Sequence, residues 1–251
     1  MQYAIFSDVH SNLASLKSLL RFLGGRPEVM PLCLGDAVGY AARPNECLAL
    51  LRENQIPLLM GNHDYAANYI QERLTFNEYA LQAIHWQDTV LTPEHKEMLR
   101  RLPLSMVIEN RFAVTHADFS DPAGFVYIAS AWDARLSFEA LPAPVGFYGH
   151  THIPTVLTQD PRLPESAQIT GAPLVPDRES IQLDPELRYL INPGSLGQPR
   201  DGDPRASFVI FDAGAGTVTF HRLPYDYEEE ARAVRDAGLP DFLAGRLIGG
   251  Y

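Results

Sequence analysis

Gln2-Tyr3-Ala4-Ile5-Phe6-Ser7-Asp8-Val9-His10 is the stretch on which the reading of this chain turns. An apolar run of strand length, Tyr3 to Phe6, ends in two side chains that bind metal ions. The same design recurs along the chain. Gly35-Asp36 follows the apolar run Val29 to Leu34, and Gly61-Asn62-His63-Asp64 follows Ile56 to Met60. Thr115-His116 closes Arg111 to Thr115, and Gly149-His150-Thr151-His152 follows Gly146 to Tyr148. A parallel sheet delivers the carboxyl ends of its strands to one rim, where ligand-binding loops gather. Together these pieces offer enough carboxylate, amide and imidazole donors for two divalent ions sharing a carboxylate. Such a site sets the reaction type: attack of activated water on phosphorus or on a carbonyl.

Outward from these pieces, strand and helix signals alternate. Leu13 to Phe22 has apolar residues at helical spacing and stops at Gly24-Gly25. Pro44 to Arg52 is a helix opened by a first-turn proline. Strand–helix–strand alternation predicts parallel βαβ units. Residues from about 65 to 101 read as a helical insertion, broken near Leu91-Thr92-Pro93-Glu94, where Thr92 suits an N-cap. Trp86, Leu99 and Leu102 of this insertion are expected to cover a sheet or a partner surface. The second half reads as mainly β, over Ser105–Glu109, Thr155–Gln159, Tyr189–Asn192, Ser207–Asp212 and Thr217–Arg222. The proline-rich stretch from Pro161 to Pro185 reads as a surface loop with some irregular strand, and Tyr227 to Ala237 as a helix. The candidate ligands run from Asp8 to His152 and tie both halves together, so a single domain over 1–251 is expected.

The bulk properties fit this picture. The chain has 251 residues, 46% hydrophobic and 20% charged, which supplies a substantial core. A net charge of -11 without a Lys/Arg-rich run argues against duplex nucleic acid as a partner. A small phosphorylated substrate remains compatible, because bound cations reverse the local field. No basic leader and no apolar stretch of membrane-spanning length is present, so a cytoplasmic location without membrane attachment is the expectation. Cys33 and Cys47 read as buried reduced thiols. The acidic surface and the helical insertion are both compatible with a homo-oligomer.

Each motif alone is weak, since Asp-x-His and Gly-Asp also occur in ordinary turns. Their joint order carries the argument. Asn62 is a neutral oxygen donor, His63 can donate a proton, and Asp64 can orient that ring through its other nitrogen. The paired imidazoles of His150 and His152 are a frequent metal-binding arrangement. His85, His95 and His221 lack such context and read as surface or packing residues.

The order Asp-x-His, Gly-Asp, Gly-Asn-His-Asp, His, Gly-His-Thr-His resembles the calcineurin-like metallophosphoesterases, over Met1 to about Arg222. Asn192-Pro193-Gly194-Ser195 looks like a late strand-and-turn element of small bacterial members. The runs Gly35 to Tyr40, Pro44 to Cys47 and Gln198 to Asp203 resemble the branch of predicted phosphoesterases and diadenosine-tetraphosphatase-like proteins. The resemblance implies an α/β fold, a four-layer αββα sandwich of two mixed sheets. It implies one metal held by Asp8, His10, Asp36 and His152, and a second by Asp36, Asn62, His116 and His150, with Asp36 bridging. It leaves His63 for catalysis, protonated, with Asp64 orienting its ring. A metal-bridging hydroxide would attack phosphorus in line. Mixed nitrogen and oxygen donors suit Mn, Fe, Co, Ni or Zn, with Mn the assay ion of choice.

Substrate contacts are expected at Tyr40, by stacking on a base or sugar, and at Arg200, by its planar fork on a phosphate. Asp118 departs from the Gly-Ser that commonly follows the His116 position in close relatives. It reads as an acceptor near the metals, as a charge that repels an anionic substrate, or as a loop cap. The reading is a metal-dependent phosphoesterase acting on phosphodiester or nucleotide-type substrates. A phosphomonoesterase is the alternative within the class, and a carbonyl-directed hydrolase is disfavoured by the block order. A non-catalytic scaffold on the same fold predicts loss of His10 and His63, both of which are present.

Overall fold

The computed structural model describes residues 1–69, 76–174 and 179–251. The parts of the helical insertion and of the proline-rich stretch at 70–75 and 175–178 therefore lie outside the described residues.

Two mixed sheets lie face to face. The first takes β2 (Val29–Cys33), β1 (Gln2–Phe6), β10 (Ala206–Asp212), β11 (Thr217–Leu223) and β8 (Ser180–Gln182), in that order. Within it β1 and β2 run parallel and the remaining pairs antiparallel. The second takes β3 (Ser105–Ile108), β4 (Phe112–Thr115), β5 (Val145–Phe147), β9 (Arg188–Asn192), β6 (Thr155–Gln159) and β7 (Ile169–Pro173). Here β4, β5 and β9 are parallel neighbours, flanked by antiparallel pairs.

Strand alternation builds the layers. Tyr3 and Ile5 of β1 point into the core between the sheets, against Phe112, Phe147 and Phe211. Ala4 and Phe6, one residue out of step, point to the other face, where Leu16 and Leu19 of α1 (Leu13–Leu23) and Leu48 and Leu51 of α2 (Pro44–Glu53) cover them. On the second sheet Ala113 and Leu190 turn outward and meet Phe138 of α6 (Ala134–Ala140). Helix, sheet, sheet and helix follow in order, the four-layer arrangement that the family resemblance implies. Asn12 caps α1 by accepting from the Ser15 amide at 3.0 Å. Thr92 caps α5 (Pro93–Arg100) as anticipated, accepting from the His95 amide at 3.2 Å.

The inter-sheet core is aromatic at its centre. Phe147 stands edge-on to Phe112 at 5.7 Å and tilted to Phe211 at 5.2 Å, and all three are buried. Phe147→Leu is expected to lower unfolding free energy by about 1–2 kcal/mol, through lost contacts and a partly unfilled space. Denaturant unfolding at constant slope checks this.

Ile56–Met60 is not the strand that its apolar run predicts. It makes one parallel bridge, Cys33 with Leu58. Pro57 has no N–H to extend a ladder, and the Met60 amide turns away to the Pro103 carbonyl at 2.9 Å. The proline-rich stretch carries β7, β8 and a short 3-10 turn, Glu165–Ala167, in addition to loop. Over the insertion the described helices are α3 (Asn62–Ala66), α4 (Glu78–Val90) and α5. Leu99 and Leu102 join the core beneath the first sheet. Trp86, on α4, packs with α7 (Tyr227–Asp236) and α8 (Asp241–Gly249) in a separate cluster. No helix among the described residues is long and apolar enough to cross a membrane.

Candidate metal centre

β1, β2, β4 and β5 each end at the same rim, and each hands over to a loop carrying candidate ligands. Asp8 and His10 follow β1, Asp36 follows β2, His116 follows β4, and His150 and His152 follow β5. The chain turns sharply to place them. Asp8, His10, Asp36, His150 and His152 all have positive φ, between 47° and 67°. Such backbone is costly for side chains other than glycine, and it persists where the surroundings over-determine it, as at functional sites. Gly35 has φ 122°, which a residue with a side chain would resist. Gly61 answers a different need, since an added Cβ would stand 2.0 Å from Asp36 Oδ1.

The donors converge in two groups sharing Asp36. Asp8 Oδ1 lies 3.4 Å from His152 Nε2 and 3.8 Å from His10 Nε2. Asp36 Oδ2 lies 3.6 Å from His10 Nε2 and 3.5 Å from His116 Nε2. Asn62 Oδ1 is 3.2 Å from His116 Nε2, and His150 falls in one cluster with Asp36 and His116. Donors each about 2.0–2.2 Å from a common ion stand about 3–3.6 Å apart, which is close to this spacing.

The residues fit metal binding by a second criterion. Asp8 Oδ1, Asp36 Oδ2 and His150 Nε2 are buried without a hydrogen-bond partner among the described residues. Orphaned buried acceptors are costly unless something else occupies them. The second ring nitrogens are assigned: His10 Nδ1 sits 3.0 Å from the Val38 carbonyl, and His152 Nδ1 2.6 Å from the Gln198 carbonyl. A carbonyl only accepts, so each Nδ1 carries the proton and each Nε2 offers its lone pair to the site.

Burial shapes the charges. It pushes the His10 and His152 imidazoles well below their ordinary pKa, and His150 down to about 3, so all three are neutral donors. Burial also raises Asp8. For His116 burial pulls down, but Asp36 beside it outweighs that and raises it to about 9. Asp36 would likewise be raised by burial, yet His116 and His63 hold it well below the carboxylate range. Asp36 is thus the fixed negative charge at the centre.

One expectation about catalysis needs correction. Asp64 does not orient the His63 ring. Its carboxylate accepts from the backbone amides of Gly61 at 3.0 Å, Ala37 at 3.3 Å and Val38 at 3.1 Å, clamping the Asp36 loop to α3. His63 Nδ1 has no partner among the described residues. Packing holds that ring instead, between Tyr40 at 4.5 Å and Phe76 at 4.7 Å. Burial pulls the His63 ring down to about 4, which works against the protonated form expected of it. It stands within reach of His10 and Asp36, and its amide donates to Asp36 Oδ1 at 2.8 Å.

The substrate-side residues divide. Arg200 reaches the cavity above the donors, a space of about 220 Å³. Tyr40 borders it, but only 6% of Tyr40 is exposed and its ring is covered by His10 and His63, so it cannot serve as a stacking platform. Its hydroxyl accepts from Arg200 Nη2 at 3.3 Å and sets the height of that guanidinium. Asp118 is a loop cap, accepting from the amide and hydroxyl of Ser120. His85 is exposed, His95 bonds Asn45 at 2.7 Å, and His221 stacks on Phe208.

Sequence reasoning missed the aromatic wall of this cavity, formed by Tyr65, Phe76, Phe125 and Tyr127. The one signal was Phe125-Val126-Tyr127, an apolar triplet in a stretch with no periodicity. It also undervalued the Asn192–Ser195 turn. Asn192 Nδ2 donates to the Gly149 carbonyl at 2.6 Å, and Ser195 Oγ donates to the Asp8 carbonyl at 2.9 Å. That turn braces the loops carrying His150 and Asp8.

Comparison with known proteins identifies the family. A metallophosphoesterase from Sphaerobacter thermophilus is 40% identical, with a TM-score of 0.85, covering 100% of this chain and 99% of that one. An uncharacterized protein of Methanocaldococcus jannaschii is 34% identical over 250 residues, 98% of this chain and 96% of its own. A hypothetical protein from Pyrococcus horikoshii, 15% identical with a TM-score of 0.79 over 100% and 98% of the two chains, shares the fold. Residues 1–216 match the calcineurin-like phosphoesterase superfamily domain, and the chain accordingly belongs to that superfamily, as a metal-dependent phosphoric ester hydrolase.

Proposed function

We propose that this chain hydrolyses phosphodiester or nucleotide-type esters at a site holding two divalent transition-metal ions. The observation that carries this reading is the orphaned Asp36 Oδ2. It lies between His10 Nε2 and His116 Nε2, one from each donor group, as a bridging carboxylate would. Asp8, His10 and His152 complete one set; Asn62, His116 and His150 complete the other. When bound, such a pair supplies Lewis acidity and hydroxide near neutral pH.

The chain's own groups do the rest. Arg200 holds a phosphoryl oxygen from the Tyr40 side, opposite the donor floor. His63, neutral, donates a hydrogen bond from one ring nitrogen to the phosphoryl or leaving oxygen. The nitrogen and oxygen donor set favours Mn, Fe, Co, Ni or Zn, with Mn²⁺ the assay ion. In this reading the partner is a small phosphorylated molecule of the cytoplasm. The net charge of -11 opposes a longer polyanion such as duplex nucleic acid.

Purified protein is expected to bind about two metal ions per chain and to cleave bis-p-nitrophenyl phosphate when Mn²⁺ is supplied. Elemental analysis and a colorimetric assay measure both. A protein that takes up no divalent metal would overturn the reading.

A further inference from the structure

Beside the donor floor stands a surface that the phosphoester reaction itself does not use. The loop after β4 carries Phe125 and Tyr127 to the wall of the cavity that Arg200 also lines. Phe125 has φ 48°, a conformation that a bulky residue enters only under constraint. Strain of this kind collects at ligand clamps. Here it directs the Phe125 ring toward His116 at 6.0 Å and toward Tyr65 at 5.8 Å.

Tyr127 stacks on the imidazole of His150 with ring centroids 4.0 Å apart and planes 26° from parallel. It is nevertheless 51% exposed. A large aromatic ring left half in water at the lip of a polar cavity forgoes burial that the core could have provided, and a ligand can restore it. The His150 stack fixes the plane of the ring, so little side-chain freedom is lost when a second flat group lies against it. The wall is thus held in place and within one residue's reach of a candidate metal ligand. A planar group joined to the phosphate through a short linker, as a base is through its sugar, meets both features together.

The geometry points to Tyr127, supported by Phe125 and Tyr65, as the residue that selects for a nucleobase on the substrate's phosphate, making nucleoside monophosphate units the preferred ligand. This rests on the phosphoester-hydrolase reading above. It commits to a single base-carrying unit because the cavity measures only about 220 Å³. Stacking one base on an aromatic side chain is worth at least about a fivefold gain in affinity.

The test is calorimetric titration of the manganese-loaded protein with carbon–phosphorus-linked analogues, which cannot be hydrolysed. The three probes are the analogues of AMP and of ribose 5-phosphate, and phenylphosphonate. The expected result is that the AMP analogue binds at least about fivefold tighter than the ribose 5-phosphate analogue. Tyr127→Ala should bring that ratio close to one, and Tyr127→Phe should keep it. Because each ratio is taken within one protein, any change in phosphate affinity from the His150 contact cancels. Equal affinity for the two analogues in the wild type, or an unchanged ratio in Tyr127→Ala, overturns the assignment. So does a gain confined to phenylphosphonate, which would make the site one for aryl esters. In those cases metal uptake and bis-p-nitrophenyl phosphate hydrolysis still stand, so the failure of base selection is distinguishable from failure of the hydrolase reading.

Discussion

Asp36→Asn is expected to abolish binding of the ion pair and to lower hydrolysis by more than about a thousandfold. Loss of a supporting group outside the ligand set alone costs about 10–100-fold in affinity or activity. Asp36 stands one step closer, with one oxygen facing both sets of donors. The substitution is nearly isosteric, and its amide oxygen can still accept from the His63 amide, as Asp36 Oδ1 does at 2.8 Å. The fold is therefore preserved while the second oxygen becomes an NH₂ group aimed at His10 Nε2 and His116 Nε2. A donor in that position repels a cation and removes the central charge from both sets at once. Elemental analysis should show fewer than one ion per chain. Mn²⁺, which raises the wild-type melting temperature by mass action, should leave the variant unmoved. A variant that keeps two ions would show that Asp36 is not the bridge.

The seven candidate ligands were legible because their positions obey a rule that a single sequence can show. Each ends or follows an apolar run, and parallel strands deliver such ends to one rim. Asp8, Asp36, His116 and His150 illustrate it, each within three residues of the strand that precedes it. The four-layer fold was legible only through the family resemblance that these motifs carry, because Tyr3-Ala4-Ile5-Phe6 is apolar throughout and does not itself show that its two faces feed two different cores. The same rule misled at Ile56–Met60, where an apolar run leads to Asn62 but Pro57 withholds a ladder hydrogen bond. β7 was legible only as irregular strand somewhere within Pro161 to Pro185, since Ile169-Thr170-Gly171-Ala172-Pro173 has neither a buried face nor an alternating pattern to fix its bounds. The role of Asp64 was hidden because sequence adjacency to His63 suggests contact. The helical turn of α3 instead carries its carboxylate back to three backbone amides. Tyr127 gave no warning because a loop has no period to read; only the stack on His150 reveals what it faces.

His63→Ala is expected to reduce kcat by about 10²–10³-fold, the range that one positioned hydrogen-bond donor contributes, while leaving two ions bound. The ring sits beside the donor cluster, yet His10 and Asp36 are already matched with the other candidate ligands. Its own orientation comes from Tyr40 and Phe76. The leaving group separates the roles open to it. If His63 steadies the leaving oxygen, the loss should grow from p-nitrophenyl to phenyl esters, because the poorer leaving group needs more help. If it steadies only the phosphoryl oxygens, the loss should be alike for both. Asp64→Asn supplies the contrast. A residue that clamps Ala37 and Val38 to Gly61 should show its loss in metal affinity, by about 10–100-fold. A ring-orienting residue would lower kcat with affinity intact. Full activity in His63→Ala would end its catalytic role, and a fall to one bound ion would make it a ligand.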